Sequence, residues 1–342
     1  MSRYLGVDLH RNCFTVCVQQ ENGRQTMSEW KLERLGGFVS RLRPTDAVAV
    51  EVTGNTRLFY DAVAPHVARI VVVNPRQFEV IRKSTKKTDV HDARALALFL
   101  SKDMLPEVRM KDAEHAALAS LAQTRDTLVK SRTALKNKVN NLLSARGINL
   151  ARESLGSEKG LRAVLGMRFG GTVDVELRVL VEQIRGLNGS IAELEQAMAE
   201  QGPKLPGYEN LKSIKGIGDV GASVLLSVIG DVRDFPNEGK LAAYFGIVPR
   251  VHNSNETEHS GRITKHGSKL GRTVLIQCAL IAKRYSPYLQ RYYKRIQARR
   301  GTGKAIVALA RKFLGIIYLT LKDNLVWEDF PNGLIRDGEA TA

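Results

Sequence analysis

The chain of 342 residues is long enough for two or three domains with a sizeable core, and 43% hydrophobic against 25% charged residues is ordinary for a globular protein. Lys and Arg number 52 against 35 Asp and Glu, a formal charge of +17, and such an excess points to a polyanionic partner, nucleic acid before any other. Three cysteines exclude a disulfide framework, the early Asp8 excludes a signal peptide and no apolar run is long enough to span a bilayer, so the expectation is a soluble cytoplasmic protein with no membrane partner.

Residues 4–9 and 13–18 read as strands, and an Asn22-Gly23 turn leads into a third at 25–30. A helix over 32–42, a strand at 47–52, a break at Thr53-Gly54-Asn55 and a helix near 56–66 follow. Residues 68–73 are continuously apolar, as in a strand buried on both faces, until Asn74-Pro75 stops them. Lys86-Lys87-Thr88-Asp89-Val90-His91-Asp92-Ala93-Arg94 then opens a closing helix. Three antiparallel strands, then helix, strand, helix, strand and helix, is the succession of a ribonuclease-H-like mixed sheet.

From 113 to 145 no strand signal remains, and Leu121, Leu128, Leu135 and Leu142 recur every seven residues, a basic amphipathic helix with a narrow apolar seam. After a Gly-rich interruption over 147–171, Leu177, Leu180, Ile184, Leu187, Ile191, Leu194 and Met198 alternate spacings of three and four. That is a coiled-coil seam, served equally by a helical hairpin within the chain or by a second chain. A Gly- and Pro-rich stretch at 201–207 marks the next boundary. Lys215, Gly216 and Gly218 lie between two apolar helices, in the manner of a helix-hairpin-helix whose glycines let backbone N–H groups approach a phosphate. A plain helix–helix turn is the other reading.

Residues 247–262 read as an exposed polar loop holding Arg250, His252, Ser254, His259, Ser260 and Arg262, with Lys265 close behind. The chain then returns to helix, and basic residues including Arg299, Arg300 and Lys304 interleave with Tyr292 and Tyr293, a surface suited to tracking phosphates. Gly301-Thr302-Gly303-Lys304 is no P-loop, because Ala298 and Ala305 stand where that pattern needs glycine and a hydroxyl. The expected fold class is therefore α/β plus α. It places a domain at 1–108, a helical coiled-coil region at 109–205 and a mostly helical C-terminal domain at 206–342.

In a ribonuclease-H-like sheet Asp8 and Glu51 are neighbours, and the closing helix brings Asp89 and Asp92 over them. Four converging carboxylates repel and raise one another's pKa. A hard divalent cation resolves the conflict, Mg²⁺ first and Mn²⁺ as an alternative, with Asp8, Glu51, Asp89 and Asp92 as its ligands. The plainer reading of Thr88, Asp89 and Asp92 is a cap and first helical turn.

Gly-Val-Asp8-Leu-His, Val-Glu51-Val-Thr-Gly-Asn and Lys-Lys-Thr-Asp89-Val-His-Asp92-Ala-Arg resemble the Asp-Glu-Asp-Asp signature of the insertion-sequence-110 type, or DEDD, transposases. Ile-Lys215-Gly-Ile-Gly, Phe245-Gly-Ile-Val-Pro-Arg, Gly261-Arg-Ile-Thr-Lys-His-Gly and Lys304-Ala-Ile-Val-Ala-Leu-Ala-Arg-Lys continue the resemblance in order to about residue 325. The resemblance implies a site-specific DNA recombinase with a RuvC-like N-terminal domain, a coiled coil and a C-terminal transposase domain. It implies a homo-oligomer, a tetramer built as a dimer of dimers, guided to donor and target DNA by a structured non-coding bridge RNA. It further implies that the acids hold Mg²⁺ while a C-terminal serine attacks the phosphodiester and forms a covalent protein–DNA link. Counted from Pro249 that serine is Ser254, with Ser260 the alternative because Asn255 departs from the family's usual glycine. Two other readings stay open: a metal-dependent nuclease or junction resolvase that uses water, and a non-catalytic nucleic-acid binder.

Overall fold

A computed structural model describes residues 3–74, 88–151, 153–254 and 257–327, with backbone only over 251–254 and 257–260. The chain divides into two compact units, residues 1–110 and 111–342.

The first unit is a five-stranded sheet of order β3-β2-β1-β4-β5, formed by β1 (Arg3–Leu9), β2 (Cys13–Gln20), β3 (Gln25–Lys31), β4 (Ala47–Glu51) and β5 (Arg69–Val73). The first three strands run antiparallel, and β4 and β5 lie parallel to β1. Strand alternation splits the sheet's two cores. Leu5, Val7 and Leu9 join Phe14, Val48, Val50, Phe59 and Val63 on one face, where α1 (Leu35–Val39) and α2 (Thr56–Val63) supply the cover. The alternate residues Gly6, Asp8 and Ala49 turn to the other face, against α3 (Asp89–Ser101), whose Leu96 and Leu100 pack on Ala49, Val71 and Val73. The helix expected over 32–42 is shorter: a 3₁₀ turn at Leu32–Arg34, then α1. Gly36-Gly37 costs helix propensity there, and only Leu35 and Phe38 are buried to offset it. Buried Asp46 ties the starts of β1 and β4 together, accepting from Arg3 Nε at 2.9 Å and from the Arg43 amide at 2.9 Å.

In the second unit α4 (Ala113–Ser144) and α6 (Gly171–Gln201) pack as a hairpin. Arg125 pairs with Glu195 and Arg132 with Asn188, a descending register that makes the two helices antiparallel. The seam on α6 faces α4 within the chain: Leu177, Ile184, Ile191 and Met198 are buried, while Leu180, Leu187 and Leu194 are half-buried. On α4 the expected row is displaced by one position. Leu118, Ala122, Val139 and Leu143 are the buried residues, and Leu121, Leu128, Leu135 and Leu142 flank them half-exposed. The sequence concealed this because the middle of the true seam is polar, held by Arg125 and Arg132. The Gly-rich interruption contains a short helix, α5 (Glu158–Gly166), whose Leu161 and Val164 close the far end of the hairpin.

The rest of the unit comprises α7 (Tyr208–Ser213), α8 (Asp219–Ile229), α9 (Glu238–Phe245), α10 (Lys269–Tyr285), α11 (Pro287–Arg300) and α12 (Thr302–Lys322), around a core that includes Leu211, Leu225, Phe245, Leu275 and Phe313. Between α9 and α10 the segment expected as a loop is a β-hairpin, β6 (Pro249–Ser254) paired with β7 (Thr257–Ile263). The sequence of this ribbon is polar, so it gives no apolar alternation to read. Among the described residues, no helix is long and apolar enough to cross a membrane.

Candidate functional site

Asp8 sits near the end of β1, 6% exposed, on the face covered by α3. The helix comes this close because Gly6, two residues earlier, has no side chain: a Cβ there would lie 2.1 Å from the Ala93 carbonyl oxygen and 2.4 Å from the Ala97 nitrogen. That contact sets the first turn of α3 beside the strand end. Thr88 caps the helix, its side chain accepting from the His91 amide at 3.3 Å. Capping is thus done by threonine, and Asp89 points to the neighbouring groups instead. His10 Nε2 lies 3.1 Å from Asp89 Oδ2 and 3.4 Å from Asp8 Oδ2. One ligand atom from each of Asp8, His10 and Asp89 falls within 4.8 Å of the other two.

Glu51 ends β4. Val7 pairs with Val50 in parallel register, so Asp8 and Glu51 are the next residues along on adjacent strands. Glu51 and Asp92 are half-buried and stand outside the three-residue group, although the charge of Asp92 is felt at Asp8. Burial pushes the Asp8 carboxyl above the usual carboxylate range; His10 opposes this, while Asp89 and Asp92 add to it. Oxygen donors of like charge gathered around a buried carboxylate, with one imidazole at the rim, are a donor set that fits a divalent cation.

The Thr-Gly-Asn break after Glu51 has a structural role that the sequence did not disclose. Thr56 Oγ1 donates to the Glu51 carbonyl at 3.1 Å and accepts from the Thr53 amide at 2.6 Å. Asn55 Nδ2 donates to the carbonyls of His10 and Arg11, at 3.0 and 2.9 Å. Sequence reading missed His10 and Asn55. The spacing Asp8-Leu-His10, which keeps strand parity, is the signal that would have found the histidine.

In the second unit Ser254 is the last residue of β6, its backbone paired with Thr257, and Ser260 on β7 pairs with Val251. The base of this hairpin is locked. Gly246 (φ +67°) and Gly267 (φ +132°) let the two flanking segments touch, since a Cβ would lie 2.4 Å from the His266 oxygen or 2.1 Å from the Tyr244 oxygen. Arg272 Nη1 donates to the carbonyls of both Phe245 and Gly267, at 3.1 Å each. Arg250, Arg262 and Lys265 are exposed around that base.

Lys215 is exposed, but Gly216 (φ +112°) owes its identity to packing, its Cα facing the α10 backbone, where a Cβ would lie 2.7 Å from the Ala282 nitrogen. Gly218, the N-cap of α8, has open space beside it. Arg299 and Arg300 end α11, and Lys304 stands exposed in the first turn of α12. Lys86 and Lys87 lie outside the described residues.

A mixed α/β unit with a metal-type acidic site, joined in one chain to a basic helical unit, defines a class of nucleic-acid-processing protein. A family model described as "Transposase IS116/IS110/IS902 family" matches residues 208–294, and one described as "Transposase", of the DEDD IS110 type, matches residues 5–146. The chain belongs to the IS110 family of transposases. It is 28% identical to the "Transposase for insertion sequence element IS1111A" of Coxiella burnetii, over 93% of this chain and 89% of the relative. It is likewise 28% identical to a "Probable family 20 transposase" of Pseudomonas aeruginosa, over 93% and 96%. A "Pilin gene-inverting protein" of Moraxella lacunata is 26% identical over 94% of this chain and 96% of the relative.

Proposed function

We propose that this chain is the transposase of an insertion sequence, a site-specific recombinase that cleaves and rejoins DNA strands. The observation that carries the proposal is the meeting of Asp8, His10 and Asp89 at one end of the β1–α3 contact, in a chain of this family. The strand order β3-β2-β1-β4-β5 supports a RuvC-like reading of residues 1–108. The α4–α6 hairpin supports a coiled-coil reading of 109–205, leaving 206–342 as the transposase domain, with a helix-hairpin-helix around Gly216 and Gly218.

In this reading Asp8, Glu51, Asp89 and Asp92 hold Mg²⁺ or Mn²⁺. The cation, when bound, supplies charge stabilisation to the phosphodiester undergoing displacement. The chain's own contribution is placement. Gly6 admits the helix and Thr88 caps it, and the buried Asp8 is held ionised next to a cation more readily than next to other acids.

Ser254 is the nucleophile: its Oγ–P bond forms as the P–O bond to the leaving sugar oxygen breaks, the serine proton departs and the leaving oxygen takes one up. Its position five residues after Pro249, at the end of β6, supports this choice over Ser260. Arg250, Arg262, Lys265, Lys215, Arg299, Arg300 and Lys304 contact DNA or RNA phosphates. A bridge RNA selects the donor and target DNA, and the working form is a tetramer.

Divalent-metal-dependent strand cleavage by the purified full chain, supplied with RNA transcribed from the element's flank and DNA of its joined ends, tests the reading. Asp8→Ala and Ser254→Ala should each bind nucleic acid and fail to cleave. Cleavage retained by both variants would overturn it.

A further inference from the structure

We propose that His10 is a direct ligand of the divalent cation, through Nε2, beside Asp8 and Asp89, so that an imidazole joins the carboxylates of the site. The inference rests on the metal reading above and concerns which atoms of this chain complete it.

Three observations carry it. First, a single imidazole atom faces both acids: Nε2 is 3.1 Å from Asp89 Oδ2 and 3.4 Å from Asp8 Oδ2. Donors at right angles around a cation with bonds of about 2.1 Å stand about 3 Å apart, so these separations suit neighbouring corners of one octahedron.

Second, the backbone beneath the ring is fixed from several sides. The His10 amide donates to the Cys13 carbonyl at 2.9 Å, and the Leu32 amide donates to the Asn12 carbonyl at 2.8 Å. The His10 and Arg11 carbonyls are both held by the Asn55 amide. An exposed turn that only joined two strands would not need a side chain from beyond β4 to hold consecutive carbonyls. Asn55 is the positioning residue, and it comes from the same Glu51-to-Asn55 stretch that brings the third acid.

Third, the ring is 43% exposed and Asp89 56%, while Asp8 is shielded. The cluster therefore has a buried side that anchors and an open side where water and a phosphate oxygen can complete the coordination.

An imidazole changes the selectivity of the site. Carboxylate and water suit Mg²⁺ and Mn²⁺ alike, whereas a nitrogen ligand favours the transition ion. The full chain should bind Mn²⁺ at least tenfold more tightly than Mg²⁺, as read by competition.

The deciding experiment is pulsed electron paramagnetic resonance of Mn²⁺ bound to the full-length protein, unlabelled and labelled with ¹⁵N-histidine. The expected result is a histidine-nitrogen coupling in the wild type that disappears in His10→Ala, with Mn²⁺ affinity falling about tenfold. Asn55→Ala should keep the protein folded and weaken Mn²⁺ binding by a smaller factor. Wild-type Mn²⁺ binding with no nitrogen coupling, or a coupling that persists in His10→Ala, would overturn the proposal while leaving the acidic site intact. Failure of the wild type to bind Mn²⁺, or undiminished binding by Asp8→Asn, would overturn the metal reading itself and this inference with it.

Discussion

At the scale of the residue, Asp8 is the group whose environment is most informative. Its carboxyl is raised above the ordinary value, first by burial and then by Asp89 and Asp92. A carboxyl whose folded pKa lies above its unfolded one stabilises the fold at acid pH. That stability is present below the unfolded pKa, near 3.8, and is lost as pH rises through the folded value. In metal-free buffer Asp8→Asn should therefore raise the melting temperature at neutral pH, and the gain should vanish at pH values below the usual carboxylate range. Added Mg²⁺ or Mn²⁺ should raise the melting temperature of the wild type and leave Asp8→Asn nearly unchanged. Parallel melting curves for the two proteins at neutral pH would refute this account of the site. Asp8 and Asp89, the two acids that the structure brings together, could be singled out in the sequence because one stands near the end of a strand and the other at the start of a helix. Asn55 could not, because its role is a contact with the carbonyls of His10 and Arg11, more than forty residues away in the chain, which no local pattern encodes; His10 had only the parity it shares with Asp8 to mark it.

At the scale of the element, the contact between β1 and α3 is the junction on which the site depends. Gly6→Ala places a methyl group against backbone atoms of Ala93 and Ala97, which cannot rotate away. The expected cost is about 3 kcal/mol, the upper end of ordinary overpacking, read as a lower urea midpoint at unchanged slope. A shift under about 0.5 kcal/mol would mean that helix and strand are not so closely apposed. In the helical hairpin, Ile184→Asp puts a charge into a fully buried position and should cost at least about 3 kcal/mol. Leu187→Asp, on the half-exposed row, should cost clearly less. Equal costs would show that the seam has been assigned to the wrong row.

In the first unit β5 was readable from its continuous apolar run and β3, an exposed edge strand, from the Asn22-Gly23 turn before it, and the α6 seam because its spacing never lapses. The α4 seam and the β6–β7 ribbon were not. One carries Arg125 and Arg132 in the middle of its buried row, so the leucines beside that row stand out instead, and the other is two polar strands with no apolar alternation to read.

At the scale of the whole molecule, the charge of +17 belongs with a polyanionic partner. For duplex DNA, removing one cation that neutralises a phosphate should flatten the dependence of log affinity on log salt by about 0.9. Replacing Arg299, Arg300 and Lys304 by alanine should reduce that slope, as measured by titration at several salt concentrations, without altering the melting temperature. An unchanged slope would remove the α11–α12 corner from the nucleic-acid surface.

The proposal that serine forms a covalent link to DNA has the most direct test of all: mapping, by mass spectrometry, the residue that remains attached to DNA after a cleavage reaction is stopped with denaturant. The account predicts an adduct on Ser254, absent from Ser254→Ala and Asp8→Ala and retained by Ser260→Ala. Strand cleavage with no adduct, or an adduct on any other residue, would contradict it.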